Sequence, residues 1–166
     1  MAKPVKKLAF IMTVLVLVSC GYHMRGAVNI PDDMKKVFVR NGSPQLISGF
    51  HNVFQYSAAT LVGSPSDAGI IVNVLEEEMR RRAVSLSGTG KANEFELNYL
   101  LDYELLNAAG AVLSPKQTVE LTRNYFNEQQ QVIGKANEER IIREEMYLQA
   151  VQAIIRKAQV VLQKNG

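Results

Sequence analysis

From Glu94 to Leu105 the chain keeps a period of two. Phe95, Leu97, Tyr99, Leu101, Tyr103 and Leu105 share one parity, and Glu94, Glu96, Asn98, Asp102 and Glu104 fall on the other. That is the pattern of a strand with one face buried. The same alternation returns after Pro115, with Val119, Leu121, Arg123 and Tyr125 against Thr118, Glu120, Thr122 and Asn124. Asn107 to Gly110 turns the chain between them, so the two strands are antiparallel neighbours. Upstream, Ile70, Val72 and Val74 alternate with Ile71, Asn73 and Leu75 in a β-branched run.

Glu76 to Arg82 pulls in two directions. As a helix it would form Glu to Arg pairs four residues apart, each worth roughly 0.2 to 0.5 kcal/mol. Strand patterns on both flanks, through Leu75 and again at Val84 and Leu86, place the segment on one long, bent strand with partly solvated charges. Ser87 to Asn93, with Gly88 and Gly90, is then a hairpin loop.

Two segments have helical spacing. Ser43-Pro44 reads as an N-cap with proline at the first helical position, and Ile47, Phe50, Phe54, Ala58 and Leu61 form a stripe that ends at Gly63. Asn137 with Glu138 and Glu139 opens a second helix that continues to Lys164. Its polar stripe, Glu145, Gln149, Gln152, Arg156, Gln159 and Gln163, is narrow. The remaining apolar arc calls for cover from the sheet and the first helix, with an external partner as the alternative. With Lys36 to Arg40 as a short first strand, the order is strand, helix, three strands, helix.

The amino terminus follows a different logic. Lys3, Lys6 and Lys7 precede Leu8 to Val18, which is apolar apart from Thr13 and shorter than the roughly 20 residues that span a bilayer core. Leu17-Val18-Ser19-Cys20 closes the run. This is the layout of a signal peptide over residues 1–19, and the tetrad resembles the lipobox of bacterial lipoproteins. In that class the cysteine receives a diacylglyceryl thioether and, after cleavage, an N-acyl chain. Cys20 is the only cysteine in the 166 residues, so lipidation accounts for a thiol that has no disulfide partner. Gly21, in place of the aspartate that retains such proteins at the inner membrane, implies the outer membrane. Residues 20–36 read as a lipidated tether, and 37–166 as a single domain.

Charge narrows the partners. Of 19 Lys and Arg residues three lie in the leader, which contains no acid, so the remainder balances 16 Asp and Glu. No long-range positive field is left for nucleic acid. Catalytic patterns are also missing. His23 and His51 have no spaced carboxylate or second histidine, and His51, on or beside the first helix's stripe, reads as a core residue. Gly88-Thr89-Gly90-Lys91 would be the end of a phosphate loop only with glycine at Ser85 and Ser or Thr at Ala92. No metal or cofactor is called for.

Topology does suggest a binding end. The hairpin loop 87–93 and the connection 126–137 emerge beside each other, which makes Lys91 and Lys135 neighbours close to Tyr125 and Phe126. Two lysines there could hold the phosphates of an amphipathic anion. Solvated lysines without a ligand are the alternative reading.

Cys20-Gly21-Tyr22-His23-Met24-Arg25-Gly26 with Pro31, then Asn124-Tyr125-Phe126-Asn127, Lys135-Ala136-Asn137-Glu138, Glu145-Met146-Tyr147 and Ile155-Arg156-Lys157, resemble in order the motifs of the LPS-assembly lipoprotein family, LptE. The resemblance spans nearly the whole mature chain. It implies an α+β two-layer sandwich, with two helices on one face of a mostly antiparallel four-stranded sheet. It also implies a non-enzymatic outer-membrane lipoprotein that plugs and helps assemble the LptD β-barrel and binds lipopolysaccharide. The family places LPS-binding basic residues on this hairpin and before the last helix. Lys135 matches the second; Gly88 stands near the place of the hairpin arginine, with Lys91 as a shifted substitute. A general lipoprotein adaptor with no lipid ligand is the competing function.

Overall fold

The computed structural model describes residues 34–86, 88, 90, 92–126 and 132–165. The leader, Cys20, Lys91 and the side chain of Lys135 lie outside the described residues. Five strands and two helices follow in the order β1 (Lys36–Arg40), α1 (Pro44–Phe54), β2 (Thr60–Leu61), β3 (Ile70–Leu86), β4 (Ala92–Asn107), β5 (Val112–Phe126) and α2 (Val132–Asn165). The strands form one mixed sheet, β2-β1-β3-β4-β5. The three long strands make the antiparallel meander that the alternation predicts. β1 lies parallel to β3, with Val37 opposite Ile70, because α1 supplies a crossover long enough for a parallel return.

The expected sheet had four strands; the fifth, β2, comes from the end of the predicted first helix. Ser57 stops α1 early: its hydroxyl donates to the Phe54 carbonyl and accepts from the Ala59 N–H. The chain then pairs with β1 instead, Thr60 N–H donating to Lys35 O and Val62 N–H to Val37 O. Ala58 is therefore exposed, and the buried stripe of α1 is Leu46, Gly49, Phe50 and Phe54. Its opening matches the sequence. Ser43 caps it, accepting from Leu46 N–H at 3.1 Å, and Pro44 follows.

β3 is continuous through Glu76 to Arg82, and the bend lies at register shifts after Val74 and after Ala83. The first shift keeps Glu77, Met79 and Arg81 in register with Leu101, Tyr99 and Leu97, on the helix side, and sends Glu78, Arg80 and Arg82 to the other side. β5 starts before Pro115, at Val112, and a further irregularity between Tyr103 and Leu105 accommodates the proline. Gly110, at φ +83°, supplies the turn ahead of it.

Both helices cover one face. Leu97, Tyr99, Leu101 and Leu105 are enclosed between them and the sheet, together with Val37, Ile70, Val72 and Met34. Each such burial is worth roughly 1.5 to 3 kcal/mol relative to exposure. Met34 lies within the segment read as a tether and is already part of this core. α1 and α2 meet closely at Gly49, where an added Cβ would lie 3.2 Å from Val151. Tyr147 of α2 sets its ring edge-on to Tyr99, centroids 5.0 Å apart. α2 starts five residues before the predicted Asn137 cap and runs for 34 residues. Its buried stripe is Met146, Ala150, Val151, Ile154, Ile155 and Ala158, while Ile141 and Val160 stay exposed.

The opposite face carries polar ladders. Asp102, on β4, is buried there beneath Lys116 Nζ at 2.5 Å and Thr118 Oγ1 at 2.5 Å. Those two hydrogen bonds and the Lys116 charge hold its carboxyl below the usual range against the burial. Asn98 donates to Thr122, and Arg82 to Glu96. A small apolar cluster of Ala68, Ile71 and Leu106, with Phe38 and Val62, closes the far end of this face.

Candidate functional site

The end of the sheet where β3 and β4 join is also where β5 finishes and α2 begins. Ala83, Phe95 and Tyr125 form one cross-strand row on the helix side, and the Phe95 and Tyr125 rings stack at 5.6 Å. Arg81 lies two residues along β3 on the same side, its guanidinium carbon 3.7 Å from the Phe95 centroid. Cation and ring attract there through the ring quadrupole.

Glu139 of α2 gathers the polar groups of this row. Tyr125 Oη donates to its Oε2 at 2.5 Å, and Arg143, one turn further along α2, donates to Oε1 through Nε at 2.8 Å and Nη2 at 2.7 Å. Arg81 Nε stands 3.4 Å from Oε2. Burial opposes ionisation of Glu139, but the hydrogen bonds from Tyr125 and Arg143 and the charges of both arginines outweigh it and hold the carboxyl low. Burial, reinforced by the Glu139 carboxylate, pushes the Tyr125 phenol up to about 12. Two guanidinium groups on one carboxylate leave an excess positive charge. Val84, Leu86 and Phe126 are exposed at the same end of the sheet.

Of the residues singled out in the sequence, Tyr125 and Phe126 are here, the first buried and the second exposed. Lys135 lies within α2, one turn before Glu139, rather than on a loop ahead of the helix. The helix starts early because Val132 to Ala136 contains no strong breaker other than Gly134, which costs a helix only about 1 kcal/mol. Arg81, Glu139 and Arg143 were not singled out. Glu139 reads as a dipole-favouring acid and Arg81 as one of three solvated arginines; only the strand phase set by the bulge after Val74 turns Arg81 toward the helices.

His51 is exposed and not a core residue, because α1 presents Leu46, Gly49, Phe50 and Phe54 to the sheet. It borders a shallow depression with Phe38, Val39, Ile47, Leu61 and Val62. A second cleft, of about 370 Å³, runs between the helices and is lined by Gln45, Ser48, Asn52, Arg140, Arg143 and Tyr147, among others. Among the described residues no group of three or more His, Cys, Asp or Glu side chains is placed to hold a metal ion. No described helix is long and apolar enough to cross a membrane.

A family model described as LptE, Lipopolysaccharide-assembly, matches residues 34–158. The chain belongs to the LptE family. LPS-assembly lipoprotein LptE of Photorhabdus laumondii is 24% identical over 148 residues, covering 88% of this chain and 80% of the relative. That of Yersinia enterocolitica is 25% identical, covering 90% of this chain and 73% of the relative. Among solved structures, lipoprotein B of Nitrosomonas europaea superposes with a TM-score of 0.65 at 28% identity, over 83% of this chain and 90% of that one. Rare lipoprotein B of Shewanella oneidensis, at 17% identity, shares the fold with a TM-score of 0.59 over 78% of this chain and 97% of that one. As a member of the LptE family the chain is an LPS-assembly lipoprotein and not an enzyme, and it uses no cofactor.

Proposed function

We propose that this LptE-family protein is anchored in the outer membrane through acyl chains on Cys20, plugs and helps assemble an LptD-type β-barrel, and binds lipopolysaccharide in transit to the outer leaflet. The observation that carries the lipid-binding part is the excess positive charge of Arg81 and Arg143 over Glu139 at the end of the sheet where Val84 and Leu86 of β3 are exposed, with Phe126 exposed on the opposite face. A phosphorylated amphiphile needs cations and apolar surface side by side. We further propose Lys135, whose backbone is one helical turn before Glu139, and Lys91 as cations of the same site. The plug role is supported by the polar ladders across β3, β4 and β5, and by exposed Ile141 and Val160 on α2, which offer a second polypeptide contacts on more than one side. Several acyl chains give firm membrane attachment where one would be marginal, at about 0.8 kcal/mol per buried methylene.

Gentle detergent extraction followed by affinity purification tests the plug: a large outer-membrane barrel co-purifies, and recovery of the lipoprotein as a lone species defeats the reading. Lipopolysaccharide binding by a Lys91→Asp, Lys135→Asp double variant tests the lysines. Reduced affinity supports them. Unchanged affinity removes them from the site, and a wild-type protein that binds no lipopolysaccharide leaves the adaptor function in place of lipid binding.

A further inference from the structure

The hairpin end holds an anion seat already filled by the protein's own carboxylate. Its contacts are unequal. Tyr125 and Arg143 approach Glu139 at 2.5 to 2.8 Å, whereas Arg81 stands at 3.4 Å. The Arg81 side chain is 43% exposed, against 31% for Arg143 and 22% for Glu139. Phe95 supports the flat guanidinium from one side, which fixes its position while leaving its nitrogens open to a second acceptor. If Arg81 turned away, Glu139 would keep Tyr125 and Arg143, so no buried charge would be stranded.

We propose that Arg81 contacts phosphate on an amphipathic ligand, and that Glu139 is the internal counter-anion it leaves when that phosphate arrives. This rests on the lipid-binding reading above and adds residues that reading does not require. A phosphate monoester carries more negative charge than a carboxylate and three acceptor oxygens, which suits a fork of N–H donors that is stacked in place but loosely paired. Exposed Val84 and Leu86, further along β3, lie on the same hairpin arm for the alkyl part of the ligand.

The test uses the full acylated protein and its Arg81→Gln, Arg81→Lys and Glu139→Gln variants. The probes are phosphorylated lipopolysaccharide, the same preparation after enzymatic removal of its phosphates, and inorganic phosphate. Arg81→Gln binds the phosphorylated probe about tenfold more weakly, as the loss of one charge-assisted contact requires. Arg81→Lys, which keeps the charge and loses the fork, falls between that variant and wild type, and serves if the Gln variant does not fold. Glu139→Gln binds several-fold more tightly, a direction that a merely structural role would not produce. These differences vanish with the dephosphorylated probe; their persistence there overturns the phosphate assignment. The same ranking with inorganic phosphate assigns the seat to the free anion, and its confinement to lipopolysaccharide assigns it to the headgroup. A wild-type protein that binds, with Arg81→Gln unchanged or Glu139→Gln weakened, overturns this inference alone. Failure of wild type to bind any lipopolysaccharide defeats the underlying reading as well.

Discussion

Glu77, in the middle of β3, receives both polar groups of Ser43: the backbone N–H at 2.9 Å and the hydroxyl at 2.6 Å. The same carboxylate accepts from the Tyr99 phenol at 3.0 Å, and Ser43 Oγ in turn accepts from Leu46 N–H. The cap of α1 is thereby tied to the strand beneath it. Glu77→Ala leaves the Ser43 N–H and the Tyr99 hydroxyl without partners, and we expect a loss of about 2 to 4 kcal/mol in urea unfolding. Ser43→Ala removes a cap as well and costs about 1 kcal/mol. The double variant costs less than the sum, because each change already breaks the shared contact. Strict additivity would show that cap and carboxylate act separately.

A second expectation concerns the helix crossing. Gly49 is buried on α1, and a Cβ there would sit 3.2 Å from Val151 Cγ2 and 3.7 Å from Tyr147. Gly49→Leu must push α2 off α1 and distort the Tyr147 contact with Tyr99; the expected cost is about 1 to 3 kcal/mol, the range for overpacking. It is read as a lower urea midpoint at unchanged slope. An unchanged midpoint would mean that the helices separate without resistance.

The strand pattern was legible wherever one face alone was buried. Phe95 to Leu105 announces β4 because alternation follows directly from a half-covered sheet, and the flanks of Glu76 to Arg82 were enough to overrule its helical charge spacing. What could not be read depended on contacts distant in sequence. Thr60 and Leu61 become a strand only because the carbonyls of Lys35 and Val37 accept from Thr60 and Val62 across the sheet. Arg81 faces the helices only because a bulge shifts phase after Val74. Of the candidate site, Tyr125 was visible, whereas Lys135 was expected on a loop and lies in α2, and the pairing of Glu139 with Arg81, Arg143 and Tyr125 needs three elements to be packed together first.

The buried phenols set an alkaline limit. Burial pushes Tyr103 up to about 12, and burial with the Glu139 carboxylate does the same to Tyr125, from an ordinary value of 10.0. Tyr99 is raised too, by burial first and then by the Glu77 charge. A raised folded-state value means that the unfolded chain loses its proton first. The stability contribution is complete below pH about 10 and is lost as pH climbs toward 12. Tyr103→Phe removes one such group, so its stability should decline less steeply than that of wild type over this window in urea titrations at successive pH values. A parallel decline in both proteins would mean that Tyr103 does not contribute.

At the acid end the sign reverses. The Glu139 carboxyl is held below its ordinary value of 4.5, so its contribution is present above that pH and fades as pH falls through the lower folded-state value. Glu139→Gln should flatten the acid limb of the stability profile and also soften the alkaline limb, because the Tyr125 phenol loses the carboxylate that helps to raise it. An acid limb that keeps its slope would assign the loss to other carboxyls, Asp102 among them.

The polar face of the sheet separates folding from docking. Arg82 pairs with Glu96, yet its side chain is 70% exposed, and exposed pairs of this kind contribute little to stability. Arg80, beside it on the same face, pairs with Glu78 on its own strand, with Glu76 adding to the attraction, and is 73% exposed. Neither supports the core. Replacing both with glutamine should therefore leave the unfolding midpoint within experimental error. Within the proposed barrel lumen, however, the two guanidinium groups are among the groups this face offers to an enclosing wall, and their loss should reduce the amount of barrel recovered with the lipoprotein at equal expression. A double variant that is stable and still recovers the barrel in full would place the wall contacts on the helical side instead, where Ile141 and Val160 stand exposed.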